Sequence, residues 1–341
     1  MAKKVVTLGE IMLRLSTPDY QRFVQTDSLR VTYGGGEANV AAALCNYGIN
    51  GCFVSKVPEN AIGQSAINHL RRYGVDTSNI VRGGDRLGIY FLETGASMRA
   101  SQVIYDRARA SIAEADINEF DWDNIFDGAE WFHTTGITPA LSDKATYLTE
   151  HALKVAKSKG ITTSIDFNYR QKLWHKEKAR EVLMPLCSYV DVCIGNEKDA
   201  EAFLDITSNI SNKTEGEFNL DGYKDVCIQM VEKFGFKFIA SSSRESYSAS
   251  DNQWGAIVYD GNEFYQTKKY NVRIVDRVGT GDSFASGLIY GLVTGMLMAD
   301  AAEFGVAASA LKHTIPGDLN HATLQEVLEL VHGDGSGKVQ R

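Results

Sequence analysis

Short apolar runs alternate with longer helical patterns along this chain, and that alternation narrows its possible folds more than any other feature. Residues 5–8 form an apolar run, 38–47 have helical spacing, 51–55 read as a strand and 62–73 as a helix. The rhythm returns at 131–133 with a helix over 142–159, at 162–166, at 190–194 with a helix from Glu197, and at 236–241. Strands that alternate with helices predict a parallel sheet covered on both faces. The expected fold is therefore α/β: a three-layer α/β/α, doubly wound, mostly parallel sheet.

Two stretches break the rhythm. Residues 12–33 and 86–112 are strand-like with no helix between the strands, so they predict hairpins that build a small separate sheet. The core then comprises 1–11, 34–85 and 113–332. Residues 207–222, polar and rich in Gly and Asn, read as a surface loop, and 333–341 as a frayed tail.

Composition bounds the function. The 341 residues are 44% hydrophobic, ample for a core, and the net charge of −8 leaves no basic footprint for nucleic acid or an anionic membrane. Any anionic ligand must be met by local cations. No apolar run has signal-peptide or membrane-spanning length, so the chain is expected in the cytoplasm. Cys45, Cys52, Cys187, Cys193 and Cys227 form neither an even set nor a C-x-x-C pair, which argues against a disulfide framework and a zinc site.

The stretch 275–287 reads Val-Asp-Arg-Val-Gly-Thr-Gly-Asp-Ser-Phe-Ala-Ser-Gly and turns a loop into an apolar, small-residue helix. The amides of Gly279, Thr280 and Gly281 would lie unpaired at the positive end of that helix, ready for an anion. A carboxylate gains nothing from a phosphate, so Asp282 suits a base that accepts a hydroxyl proton, although Asp at a helix start is also a common cap. Walker A and protein-kinase signatures are absent.

This stretch resembles the D-x-x-G-A-G-D signature of the ribokinase-like, or PfkB, carbohydrate kinases, with Thr280 in place of Ala. The likeness extends over nearly all of 4–320. It implies Asp282 as catalytic base, the 279–281 amides as anion hole, and the small sheet as a lid that excludes water. It also implies ATP, with magnesium bridging its phosphates and no direct protein ligand expected, and a homo-oligomer formed through the lid. The loop Gly34-Gly35-Gly36-Glu37-Ala38-Asn39 is similar to the family's sugar loop, with Gly34 and Gly35 against the sugar. Its Glu37, together with 134–142, 166–174 and Tyr105-Asp106-Arg107, is closest to 2-keto-3-deoxygluconate kinases. There, residues matching Tyr90, Tyr105, Arg107 and Arg170 hold the keto acid, and guanidinium forks suit a planar carboxylate. Asp318 lies where a late loop of the family reaches the sugar. On the nucleotide side, Asn196 and Asp199 are similar to the N-x-x-E element, with Asp199 shorter by a methylene. Ser241, Ser243 and Arg244 fall in the adenine-side loop, where 241–246 departs from Lys-x-Gly-x-x-Gly. The function implied is 6-phosphorylation of 2-keto-3-deoxy-D-gluconate. A fructokinase or other neutral-sugar kinase is the alternative, and a non-catalytic sugar-acid-binding regulator a further one.

Overall fold

A computed structural model describes residues 3–210 and 220–333. Its first half runs β1 (Lys4–Leu8), β2 (Met12–Ser16), β3 (Arg30–Gly34), α1 (Gly36–Asn46), β4 (Asn50–Val57), α2 (Ala61–Arg71), β5 (Ile80–Arg82), β6 (Gly88–Glu93), β7 (Gln102–Asp106), α3 (Trp122–Phe126), β8 (Ala129–Thr135), α4 (Asp143–Ser158) and β9 (Thr162–Asp166). Its second half runs α5 (Lys176–Leu186), β10 (Val192–Ile194), α6 (Glu197–Leu204), α7 (Leu220–Phe234), β11 (Phe238–Ser246), β12 (Asp251–Tyr259), β13 (Phe264–Gln266), β14 (Tyr270–Arg273), α8 (Thr280–Val293), α9 (Met298–Lys312) and α10 (Leu324–His332).

The large sheet has the order β13-β12-β11-β10-β9-β8-β1-β4-β5, with β14 also on β12. Its pairs from β11 to β5 are all parallel, and β12, β13 and β14 add an antiparallel end. Successive strand residues enter opposite cores, as the period of two requires. Val6, Phe132, Cys193 and Ile239 pack with α4, α5 and α7, whereas Val5, Trp131, Val192 and Ala240 pack with α1, α8 and α9. These are the three layers. A second, four-stranded sheet has the order β3-β2-β6-β7: two antiparallel hairpins joined by the parallel pair β2–β6.

The small residues of α8 now have a cause. A Cβ on Gly287 would collide with Gly305 of α9, so the two helices cross at a distance that only glycines permit.

Two expectations need revision. Residues 241–246 are not a loop but the end of β11, hydrogen-bonded to β12 from Ser241–Ile257 through Ser246–Asn252. Their serines read as a turn, yet the ladder satisfies their backbone. Of the expected loop 207–222, residues 211–219 lie outside the described residues, and Leu220 already opens α7 because it, Tyr223, Val226 and Cys227 face the core at helical spacing. The expected tail 333–341 falls outside the described residues after Gly333. Among the described residues no helix is long and apolar enough to cross a membrane.

Candidate active site

The chain passes from β1 to β4 and β5 on one side and to β8 through β11 on the other, so strand order reverses beside β1. Crevices at the carboxyl ends of strands open at such a point. Here a cavity of about 790 Å³ lies between those ends and the second sheet.

Gly279 caps α8 at φ 80°, a left-handed backbone suited to glycine, and a Cβ there would strike the Asp318 carbonyl. No side chain caps this helix, and the amides of Gly279, Thr280 and Gly281 have no partner among the described residues. Ser309 Oγ donates to the Thr280 carbonyl at 2.7 Å and fixes the turn from beneath. Asp282 stands in the first turn and does not cap it. Its carboxylate accepts instead from Asn39 Nδ2 at 2.6 Å. Burial pushes its pKa up to about 6, and the charges of Glu37 and Asp318 add to this against the Asn39 bond and Arg170.

Asp166, at the end of β9, lines the same wall, and its pKa is pushed up to about 8 by burial and by the charges of Asp282 and Asp199. Asp199 is raised mainly by burial. Asn196 caps α6, accepting from the amides of Lys198 and Asp199, while an Asp199 oxygen accepts from the Asn196 amide at 3.0 Å. Ser241, Ser242 and Arg244 border the cavity. Ser243 does not. Its hydroxyl lies near Gly255 of β12, whereas the expectation from sequence put it at the nucleotide, and Ser242 lines the cavity beside it.

The second sheet supplies the opposite wall. Tyr90 and Tyr105 are directly paired across β6 and β7, with ring centroids 6.1 Å apart. Arg107 follows on the same face with its guanidinium 5.4 Å from the Tyr105 ring, and it forms a buried ion pair with Glu10. Arg170 also borders the cavity, is exposed, and among the described residues bonds only the neighbouring Tyr169 carbonyl. Gly35 and Gly36 line the cavity, whereas Gly34 stands behind it because its Cα abuts the Asp318 carboxylate.

Several site residues escape sequence reasoning. Arg14 is buried and donates to Asp318 at 2.7 Å and to Asp276 at 2.5 Å, and Tyr90 donates to the other Asp318 oxygen. Lys312, wholly buried, donates to the Ile315 carbonyl at 2.9 Å and holds the turn before Asp318; burial pushes its pKa down to about 8. Glu37, which the glycine loop had already singled out, accepts from Thr135 N at 3.0 Å, Thr135 Oγ1 at 2.8 Å and Thr138 Oγ1 at 2.7 Å. Asp276 was visible as the first acid of the Asp-Arg-Val-Gly-Thr-Gly-Asp run. Arg14 carried no local signal.

Comparison with known proteins supplies the context. Residues 2–323 match the model of the pfkB family carbohydrate kinases. A 2-dehydro-3-deoxygalactonokinase of Haloferax volcanii is 33% identical over 339 residues, 99% of each chain. A 2-dehydro-3-deoxygluconokinase of Bacillus subtilis is 28% identical, covering 96% of this chain and 95% of that one. The crystal structure of a 2-dehydro-3-deoxygluconokinase from Thermotoga maritima superposes with a TM-score of 0.93 at 49% identity, covering 97% of this chain and all of that one.

Proposed function

The chain belongs to the pfkB family of carbohydrate kinases and is an ATP-dependent sugar kinase; on that premise we propose that it phosphorylates the 6-hydroxyl of 2-keto-3-deoxy-D-gluconate. The galacto epimer is the first to compare with it, given the name of the Haloferax relative. One observation carries the acid-sugar reading: in a chain of net charge −8, Arg170 and Arg107 border one cavity with Tyr90, Tyr105 and Asp282. Arg170 lies within reach of the charges of Asp166, Asp199 and Asp282 but makes no ion pair or carboxylate hydrogen bond among the described residues, so its fork is open to a carboxylate.

In this reading Asp282 takes the hydroxyl proton and the amides of 279–281 neutralise charge on the transferring phosphoryl group. Tyr90 and Tyr105 orient the keto acid, and Asp318 holds Tyr90. The second sheet acts as the lid. Asp166 and Asp199 fit a magnesium–nucleotide, because their crowded carboxyls resist ionisation and a nearby cation would relieve that. Bound magnesium supplies charge neutralisation on the donor's phosphates.

The outer face of the second sheet carries Leu13, Leu15 and Phe91, with Val31 59% and Ile104 54% exposed, which supports a homodimer through the lid. Five free thiols suit a reducing cytoplasm. A neutral-sugar kinase is the second reading, favoured by the Glu10–Arg107 pair, which uses part of one guanidinium. Arg170→Ala separates the two. The acid reading expects about a 10- to 100-fold fall in kcat/KM for the keto acid and little change for fructose.

A further inference from the structure

Four guanidiniums border the cavity: Arg107, Arg170, Arg244 and Arg277. Glu10 neutralises the first, and the reading above gives Arg170 to the sugar's carboxylate. Arg244 and Arg277 form no ion pair among the described residues. Among the described residues the only hydrogen bond of either is a long donation from Arg277 to the Ala249 carbonyl at 3.3 Å. Nearby acids are committed elsewhere: Asp276 and Asp318 to Arg14, and Glu245 to Lys269.

The fold brings the two arginines to one wall. Arg244 is paired with Trp254 across β11 and β12, and the Trp254 ring packs on His313 with centroids 4.8 Å apart. The His313 carbonyl in turn accepts from Val275 N at 2.8 Å and Asp276 N at 3.2 Å, which sets Arg277 directly after. Burial lowers the pKa of Arg277, and the charge of Arg244 lowers it further, so the pair is mutually repulsive. Arg277 is half-buried and Arg244 exposed, so their repulsion falls mainly on Arg277 in the free protein and is relieved when an anion arrives between them. Arg277 stands just ahead of Gly279 and its open amides. Residues 241–246 contain no glycine from which a backbone phosphate loop could be built.

We infer that Arg244 and Arg277 form a two-arginine clamp for the polyphosphate of the donor nucleotide, guiding its terminal phosphate to the amides of Gly279, Thr280 and Gly281. The inference rests on the kinase reading for the identity of the anion. The clamp binds phosphate by bidentate guanidinium contacts and leaves the sugar acid to Arg107 and Arg170.

The test is calorimetric titration of the wild-type chain, Arg277→Met and Arg244→Met with magnesium AMP-PNP and with adenosine, alongside melting curves and keto-acid KM values. Each variant should bind AMP-PNP about tenfold or more weakly, the scale of a lost charged hydrogen bond, with adenosine affinity unchanged. The free variants should melt no lower than wild type, because the surviving arginine has lost a repelling neighbour, and AMP-PNP should stabilise them less. Equal losses for adenosine and AMP-PNP would overturn the clamp. So would a raised keto-acid KM with unchanged AMP-PNP affinity, which would give the pair to the sugar's carboxylate, or a lowered melting point with intact nucleotide binding, which would make it structural. A wild-type chain that binds AMP-PNP through both arginines but phosphorylates no sugar acid would sink the proposed function and leave the clamp standing.

Discussion

Asn39 donates to the Asp282 carboxylate at 2.6 Å while its own side-chain oxygen accepts from the Gly35 amide at 3.3 Å. One side chain thus ties the glycine loop to the base, so that Asp282 and the backbone beneath the substrate are positioned together. The same bond favours ionised Asp282 against the burial that pushes its pKa to about 6. A general base works deprotonated, so kcat/KM should fall as pH drops through about 6. Asn39→Ala removes the donor, and the acid limb should move to higher pH. An unmoved limb would show that another group sets it.

Asp282→Asn should keep the fold and lose about 10²–10⁴ in kcat, the scale for a positioned proton acceptor. Its affinity for ATP and keto acid, read by calorimetry, should stay close to wild type. Near-normal turnover in this variant would remove Asp282 from the chemistry.

Asp166 predicts an unusual pH dependence of stability. Its folded pKa of about 8 lies far above the unfolded carboxylate value, so the native chain holds a proton that the unfolded chain releases. This favours the native state at low pH, and the advantage is lost as pH rises from about 4 to 8. Asp166→Asn should therefore gain melting temperature over wild type at pH 8 and little at pH 4. A loss at both would mean that Asp166 is ionised in the folded protein.

Buried and surface ion pairs should separate sharply. Arg14→Met strands Asp276 and Asp318 in the interior and should cost about 3–5 kcal/mol in denaturant unfolding. Lys159→Ala, which breaks a solvent-exposed pair with Asp123, should cost less than about 1 kcal/mol. Comparable costs would show that the Arg14 network relaxes when broken.

What the sequence revealed was local. The loop 34–39, the run 276–282 and the strand 103–107 each hold their chemistry in a few adjacent residues, and the structure sets all three around one cavity. The Arg14–Asp276, Arg14–Asp318 and Arg107–Glu10 pairs join residues 262, 304 and 97 positions apart, and no spacing rule reaches that far. Ser243 was misplaced for a different reason. Polar residues 241–246 read as a loop, but on a strand Ser242, Arg244 and Ser246 share the face toward the cavity, Ser243 lies by Gly255 on the other, and Ser241 reaches the cavity only at its edge.

The most direct measurement is a coupled assay of ADP release by the purified chain with magnesium ATP, run on 2-keto-3-deoxygluconate, its galacto epimer, fructose and ribose. A keto acid should give 6-phosphate and ADP in equal amounts, with kcat/KM above that for either neutral sugar by about tenfold or more, the discrimination expected when a site built for a charged group meets a ligand without one. Faster turnover of fructose or ribose, or keto-acid binding with no ADP, would contradict the account.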